Sequence, residues 1–251
     1  MKTAMRRVLN SVLTKAKHVL VFIALWLCFS HVSFAQVAKN DSGTAFIASG
    51  SVATVDLTTF TVSAGANRCM VAFLHTSGTI TNPTLVWDPT GTNQSMSAGP
   101  TATNTREIRS FYLIAPTTGN LVLRASWTTS RAVVLGAIAF SGADQSTCIE
   151  AADNLSATGS STSCTGAITS TSDGATVAGC SASNALTNTS GTSIYTDATQ
   201  TVKTGANYTL AGASNTHSWS LTSAVWAIAG VHVKAAAAAT TIRGPLLGVF
   251  P

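Results

Sequence analysis

The sequence predicts an all-β fold, an antiparallel β-sandwich of the jelly-roll kind. Three observations carry this. Segments such as 106–115 and 120–127 alternate apolar and polar side chains with a period of two, as strands do. Residues 131–140 (RAVVLGAIAF) and 224–233 (AVWAIAGVHV) are apolar at successive positions, the pattern of strands covered on both faces. Pro, Gly and Asn punctuate the chain at short spacing, and no amphipathic helix of useful length interrupts it.

The elements follow in chain order. Lys2, Arg6, Arg7, Lys15 and Lys17 precede an uninterrupted apolar run over residues 19–29, and Ser33 and Ala35 supply small side chains after it. A basic n-region, a short h-region and a small-residue cleavage site make residues 1–35 a secretory signal, with the mature chain starting at Gln36. Eleven apolar residues are too few for a bilayer span, which needs roughly 20. Trp26 and Leu27 argue against lipidation at Cys28, because a lipobox needs small residues there. Residues 36–234 form one sandwich domain, and residues 235–251 an Ala-rich linker with an apolar tail.

Within the domain, residues 106–115 set Ile108, Ser110, Tyr112 and Ile114 against Arg109, Phe111 and Leu113. Residues 120–127 set Leu121, Leu123, Ala125 and Trp127 against Val122, Arg124 and Ser126. The Pro116 to Gly119 turn between them predicts a β-hairpin. The Ser- and Thr-rich segments 156–163 and 187–192 read as loops or edge strands. Ten to thirteen short strands result.

Five of the 14 basic residues lie in the signal and all nine acids follow it, so the mature chain is formally neutral. That balance removes any electrostatic case for nucleic acid or an anionic membrane. Charged residues make up only 9% of the chain, which leaves a hydroxyl-rich surface. Cys69, Cys148, Cys164 and Cys180 are an even set in an exported chain and predict disulfides. Three connectivities are open, and Cys148–Cys164 is favoured as the bridge that closes a short Ser-rich loop.

Four blocks carry a family resemblance: 66–73 (ANRCMVAF), 110–119 (SFYLIAPTTG), 140–145 (FSGADQ) and 226–231 (WAIAGV). They resemble a β-sandwich module of secreted, mostly bacterial proteins of unassigned function. That module has an N-R-apolar strand, a W/Y-apolar-x-x-P-x-x-G hairpin, an F-S-G-V-D-Q strand end and a closing W-A-I strand. The resemblance spans roughly residues 43–234 and implies a sandwich displayed outside the cell, with no catalytic residues to carry over. The four cysteines and Ala143, where Val is usual, depart from it.

Nothing in the chain makes a local catalytic constellation: there is no GxSxG elbow, and the three mature histidines are scattered. His75 and His217 are expected at strand ends near the surface, and His232 in the core. Asp144, Glu150 and Asp153 are close enough to suggest paired-carboxylate or calcium chemistry, but their spacing fits no calcium motif and solvated loop charges explain them. Sugar binding is the stronger competitor, with Trp87 beside Asp88, Tyr195, Tyr208 and Trp219 as candidate platforms. Trp127 and Trp226 belong to the core. The expectation is a non-enzymatic exported surface, matrix or appendage component, secreted, surface-bound or periplasmic. It needs no cofactor or metal, contacts protein or glycan partners, and self-associates. A carbohydrate-binding module is the alternative, and a secreted hydrolase a distant third.

Overall fold

The computed structural model describes Lys17 and residues 36–237 apart from Ala213; for Ser214 only the backbone is described. Residues 36–237 fall within one compact unit, Ala35–Ala237. The expected signal, apart from Lys17, and the tail beyond residue 237 lie outside the described residues. Fifteen strands run in order: β1 (Ala38–Lys39), β2 (Asp41–Gly43), β3 (Phe46–Val62), β4 (Cys69–Thr76), β5 (Thr84–Trp87), β6 (Gln94–Ser95), β7 (Ser97–Thr103), β8 (Glu107–Ile114), β9 (Gly119–Ser141), β10 (Leu155–Thr169), β11 (Ala175–Ala182), β12 (Leu186–Asn188), β13 (Thr192–Asp197), β14 (Lys203–Leu210) and β15 (Ser214–Val233). A 3-10 turn, Ala151–Asp153, precedes β10. All pairings are antiparallel, in two sheets, so the all-β sandwich is as expected.

Four strands are much longer than the sequence suggests, and this decides the architecture. β3 and β9 span 17 and 23 residues, and their register breaks between Val52↔Arg131 and Thr54↔Ser126. β10 and β15 break likewise between Ser161↔Ala224 and Ser163↔Ser220. Each pair bends there, so that one strand serves two layers. Beyond the bend, the β3 and β9 arms bring Leu57, Phe60 and Leu123 over Met70, Leu74 and Leu135 on the outer face of the first sheet. The β10 and β15 arms bring Cys164, Ile168 and Trp219 over Ala178, Cys180 and Ile228. A third core lies between the two sheets, where Val71, Phe73 and Ile138 meet Val177, Ala206 and Val231.

The two sheets are copies of one topology. The first runs β3-β9-β4-β8-β7 and the second β10-β15-β11-β14-β13, with β5 added to β9 and β12 to β15. Taken in chain order, β3, β4, β5, β7, β8 and β9 correspond to β10, β11, β12, β13, β14 and β15, while β1, β2 and β6 have no counterpart. Eight-residue β4 pairs along its whole length, Cys69 with both Ile114 and Phe140; eight-residue β11 does the same, Ala175 with both Leu210 and Val233. Contacts outside the ladders repeat as well. The Ala115 amide donates to the Arg68 carbonyl and the Ala211 amide to the Gly174 carbonyl, both at 2.9 Å. The Ser77 amide donates to Ala132 (3.0 Å) and the Ser183 amide to Val225 (3.1 Å). Ala115 and Ala211 even share a left-handed backbone, φ 51° and 53°. The domain is an internal duplication, with a first repeat over residues 36–143 and a second over 146–237.

Three expectations are corrected by this. A jelly roll sends successive strands to alternate sheets, whereas here each sheet comes from one continuous half of the chain. β8 and β9 are not a hairpin, because β4, buried at every position, lies between them; the Pro116 turn instead carries the chain from the central sheet into the arm layer. The polar-out face of β8 is also covered, since Phe111 and Leu113 are buried beneath the arm. The segments 131–140 and 224–233 are central strands as expected, and 156–163 lies in the edge strand β10. Ala235 still bridges to Ala143, so ordered pairing continues past residue 234.

The four cysteines form two bridges, Cys69–Cys148 and Cys164–Cys180, so the expected Cys148–Cys164 pairing is wrong. The connection between repeats runs beside the end of β15, where the Lys234 amide donates to the Cys148 carbonyl, and this sets Cys148 beside the start of β4. Cys164 lies nine residues beyond Leu155, about 30 Å of extended chain further on, in the arm of the second repeat.

Candidate functional site

The residues nominated as a sugar platform do not form one. Trp87 is wholly buried in the outer core of the first repeat, edge-on to Phe60 at 6.0 Å, and its Nε1 donates to the Thr117 carbonyl at 2.9 Å. Asp88 adopts φ 53° and accepts from the Thr92 amide (2.6 Å) and hydroxyl (3.0 Å), closing the turn after β5. Trp219 is wholly buried in the outer core of the second repeat, and Tyr195 is buried in the core between the sheets. Tyr208 is half-buried, edge-on to Phe140. These aromatics are spread over three separate cores because each sits on the inward-facing side of its strand. Trp127 and Trp226 are in the core as expected.

The three histidines among the described residues are interior. His232, as expected, is a hydrogen-bonded core residue, its Nδ1 2.9 Å from Asp153 Oδ2. His75 and His217 were expected near the surface, but both are wholly buried. His217 lies between Asn207 and Thr176 Oγ1, the latter at 2.9 Å, and burial pushes its pKa down to about 4. His75 is covered by the facing sheet of the second repeat, and His217 faces inward from the arm of β15, a layering that a period-two reading has no means of showing.

His75 nucleates the most organised polar cluster. Its Nδ1 is 2.8 Å from Ser181 Oγ and its Nε2 is 2.7 Å from the Tyr195 hydroxyl. The Ser181 hydroxyl is also 3.3 Å from the Glu107 carbonyl. A Ser-His contact of this length is what a nucleophile and its base would show. Here, however, Ser181, His75 and Tyr195 are 0%, 0% and 4% exposed, so no substrate reaches them. Burial lowers the His75 pKa to about 3 and raises that of Tyr195 well above its usual value, so both are neutral at pH 7. A neutral imidazole that donates once and accepts once satisfies both neighbours. The cluster therefore ties β4 of the first repeat to β11 and β13 of the second.

The acidic residues after β9 are engaged one by one. Asp144 accepts from the Ser146 hydroxyl and amide, which hold its carboxyl below the usual range. Glu150 lies 3.4 Å from Lys234, and Asp153 faces His232. Among the described residues, no group of three or more His, Cys, Asp or Glu is placed to hold a metal ion.

No family model matches the chain, and no curated protein does. Among solved structures, a turret protein of Sulfolobus turreted icosahedral virus is similar at 15% identity, over 78% of this chain and 98% of the other, with a TM-score of 0.20. A score of that size does not establish a shared fold.

Proposed function

We propose that the protein is a non-enzymatic structural component, exported to an oxidising compartment and working by contact between copies of itself. The observation that carries this reading is the placement of its chemistry-bearing side chains: all three mature histidines and the nominated aromatics Trp87, Tyr195 and Trp219 lie inside and hold the fold together. The two disulfides suit such a compartment.

A route to self-contact is the outer edge of β10. Among the described residues β10 pairs only with β15, and its 15 residues include no Pro and no charged side chain. Natural edge strands are usually blunted by such residues or by being very short; here β7 has Pro100, β13 Asp197 and β2 Asp41, while β6 and β12 are only two and three residues long. A neutral edge meets a second copy of itself without charge repulsion and can extend the sheet antiparallel. The test is sedimentation velocity over a concentration series, with Thr165→Lys/Ala167→Lys beside wild type. Assembly that rises with concentration and is lost in the folded double variant is expected. A wild type that stays monomeric to millimolar concentration would contradict the reading.

A further inference from the structure

Residues 77–81, in the connection from β4 to β5, gather three of the nine basic side chains of the mature chain. Arg106 Nη1 donates to the Ser77 carbonyl at 3.2 Å, and Arg109 Nη2 donates to the Ile80 carbonyl at 3.0 Å. Arg131 lies flat against Gly78, where a Cβ would come within 3.3 Å of its Nε. Glu107 is the carboxylate nearby, and it is wholly buried and ion-paired with Arg109. Among the described residues neither Arg106 nor Arg131 has an ion-pair partner, as is also true of Arg68 and Lys203, but those two spend their donors on backbone carbonyls.

Their donors are also underused. The Nε atoms of both Arg106 and Arg131 are shut off from solvent with no acceptor among the described residues. Arg131 makes no side-chain hydrogen bond among the described residues and is only partly buried. Arg106 contacts Ser77 and Arg131 contacts Gly78, so both guanidinium groups flank one peptide unit, within about 10 Å of each other at standard backbone dimensions.

The second repeat supplies an internal control. It builds the same corner, with the Ser183 amide bonded to Val225 as Ser77 is to Ala132. There, Val202 stands in place of Arg106, Ala224 in place of Arg131, and Asn184 in place of Gly78. Asn184 Nδ2 reaches the Thr222 and Ser223 carbonyls at 3.4 and 3.3 Å, and the corner closes with no cation. The fold does not require the arginines.

We infer that Arg106 and Arg131 form a binding site for an oxoanion group, a sulfate or phosphate, at the 77–81 corner of the first repeat. Planar guanidinium forks with open donors match the oxygen geometry of such groups, and two of them flanking one glycine-bearing peptide leave room for an anion to approach. The corner is remote in sequence from β10, so this site and the assembly reading stand or fall separately.

The experiment is an amide NMR titration of the whole mature chain at constant ionic strength with two probes, sodium sulfate and a sulfated hexasaccharide, with chloride as reference. Saturable shifts confined to residues 77–81 and to the flanks of Arg106 and Arg131 are expected. Arg131→Gln and Arg106→Gln should each weaken binding at least tenfold, while Arg124→Gln, which removes an equal charge from the Asp56 pair, should leave it unchanged. Tighter binding of the hexasaccharide at equal sulfate assigns the group to a polymer; equal binding assigns it to the free anion. No saturation with either probe, or an equal loss in Arg124→Gln, overturns the site. Arg106→Gln stands as the second variant if Arg131→Gln fails to fold.

Discussion

His75 Nε2 lies 2.7 Å from the Tyr195 hydroxyl, so a side chain of the first repeat and one of the second satisfy each other inside the core that both share. Tyr195 also lies on Gly136 of β9, where a Cβ would collide with its ring. Tyr195→Phe removes the hydroxyl and leaves His75 Nε2 buried without a partner, which costs about 1–3 kcal/mol. Urea unfolding should show that loss with an unchanged m-value, because the surface exposed on unfolding stays the same.

Acid should weaken the fold well above the carboxylate range. In the folded state the His75 pKa is lowered to about 3 and that of His217 to about 4, each from 6.5, by burial. The unfolded chain therefore binds more protons below pH 6.5. Stability from these groups is full above pH 6.5 and is lost as pH falls, until about pH 4 for His217 and about pH 3 for His75. Each contributes a slope approaching about 1.4 kcal/mol per pH unit inside its window. Melting temperatures at pH 7, 6, 5 and 4 check this, and His217→Gln should flatten the slope between pH 6.5 and 4.

Trp87→Ala and Trp219→Ala should each destabilise by about 3–5 kcal/mol, since each empties a fully buried aromatic site. Thermal melts read the cost directly. A variant at either position that keeps wild-type stability would mean that the ring is not in the core.

Non-reducing peptide mapping should return Cys69 linked to Cys148 and Cys164 linked to Cys180. On the chain-entropy treatment, closing loops of 79 and 16 residues is worth about 4.5 and about 3 kcal/mol respectively. Cys69→Ala/Cys148→Ala should therefore lower stability more than Cys164→Ala/Cys180→Ala.

The sequence shows which segments are strands because apolar runs such as 131–140 and alternations such as 120–127 are local properties. It hides the duplication, because the repeats conserve pairing and not side chains. β4 and β11 share only Val71 with Val177 and Ala72 with Ala178 in eight positions, and β8 and β14 share only Tyr112 with Tyr208. Packing explains the divergence: Phe73 of one repeat packs against Gly179, its counterpart in the other, so the two had to differ in volume. The burial of Trp87, His217 and Trp219 was equally illegible. It depends on bends in β3, β9, β10 and β15 that fold a second layer over each sheet, and neither bend is marked by a proline. The arginine corner escaped notice because Arg106, Arg109 and Arg131 converge only once β8 and β9 are placed on either side of β4.

A side-chain 15N NMR titration of the histidines tests most directly whether these groups are interior struts and not a working site. The account predicts that His75 and His217 each stay in one neutral tautomer from pH 8 down to pH 5, with Ser181 and Tyr195 as the partners of His75. A His75 imidazole that titrates near pH 6.5 and shifts with added ligand would contradict it.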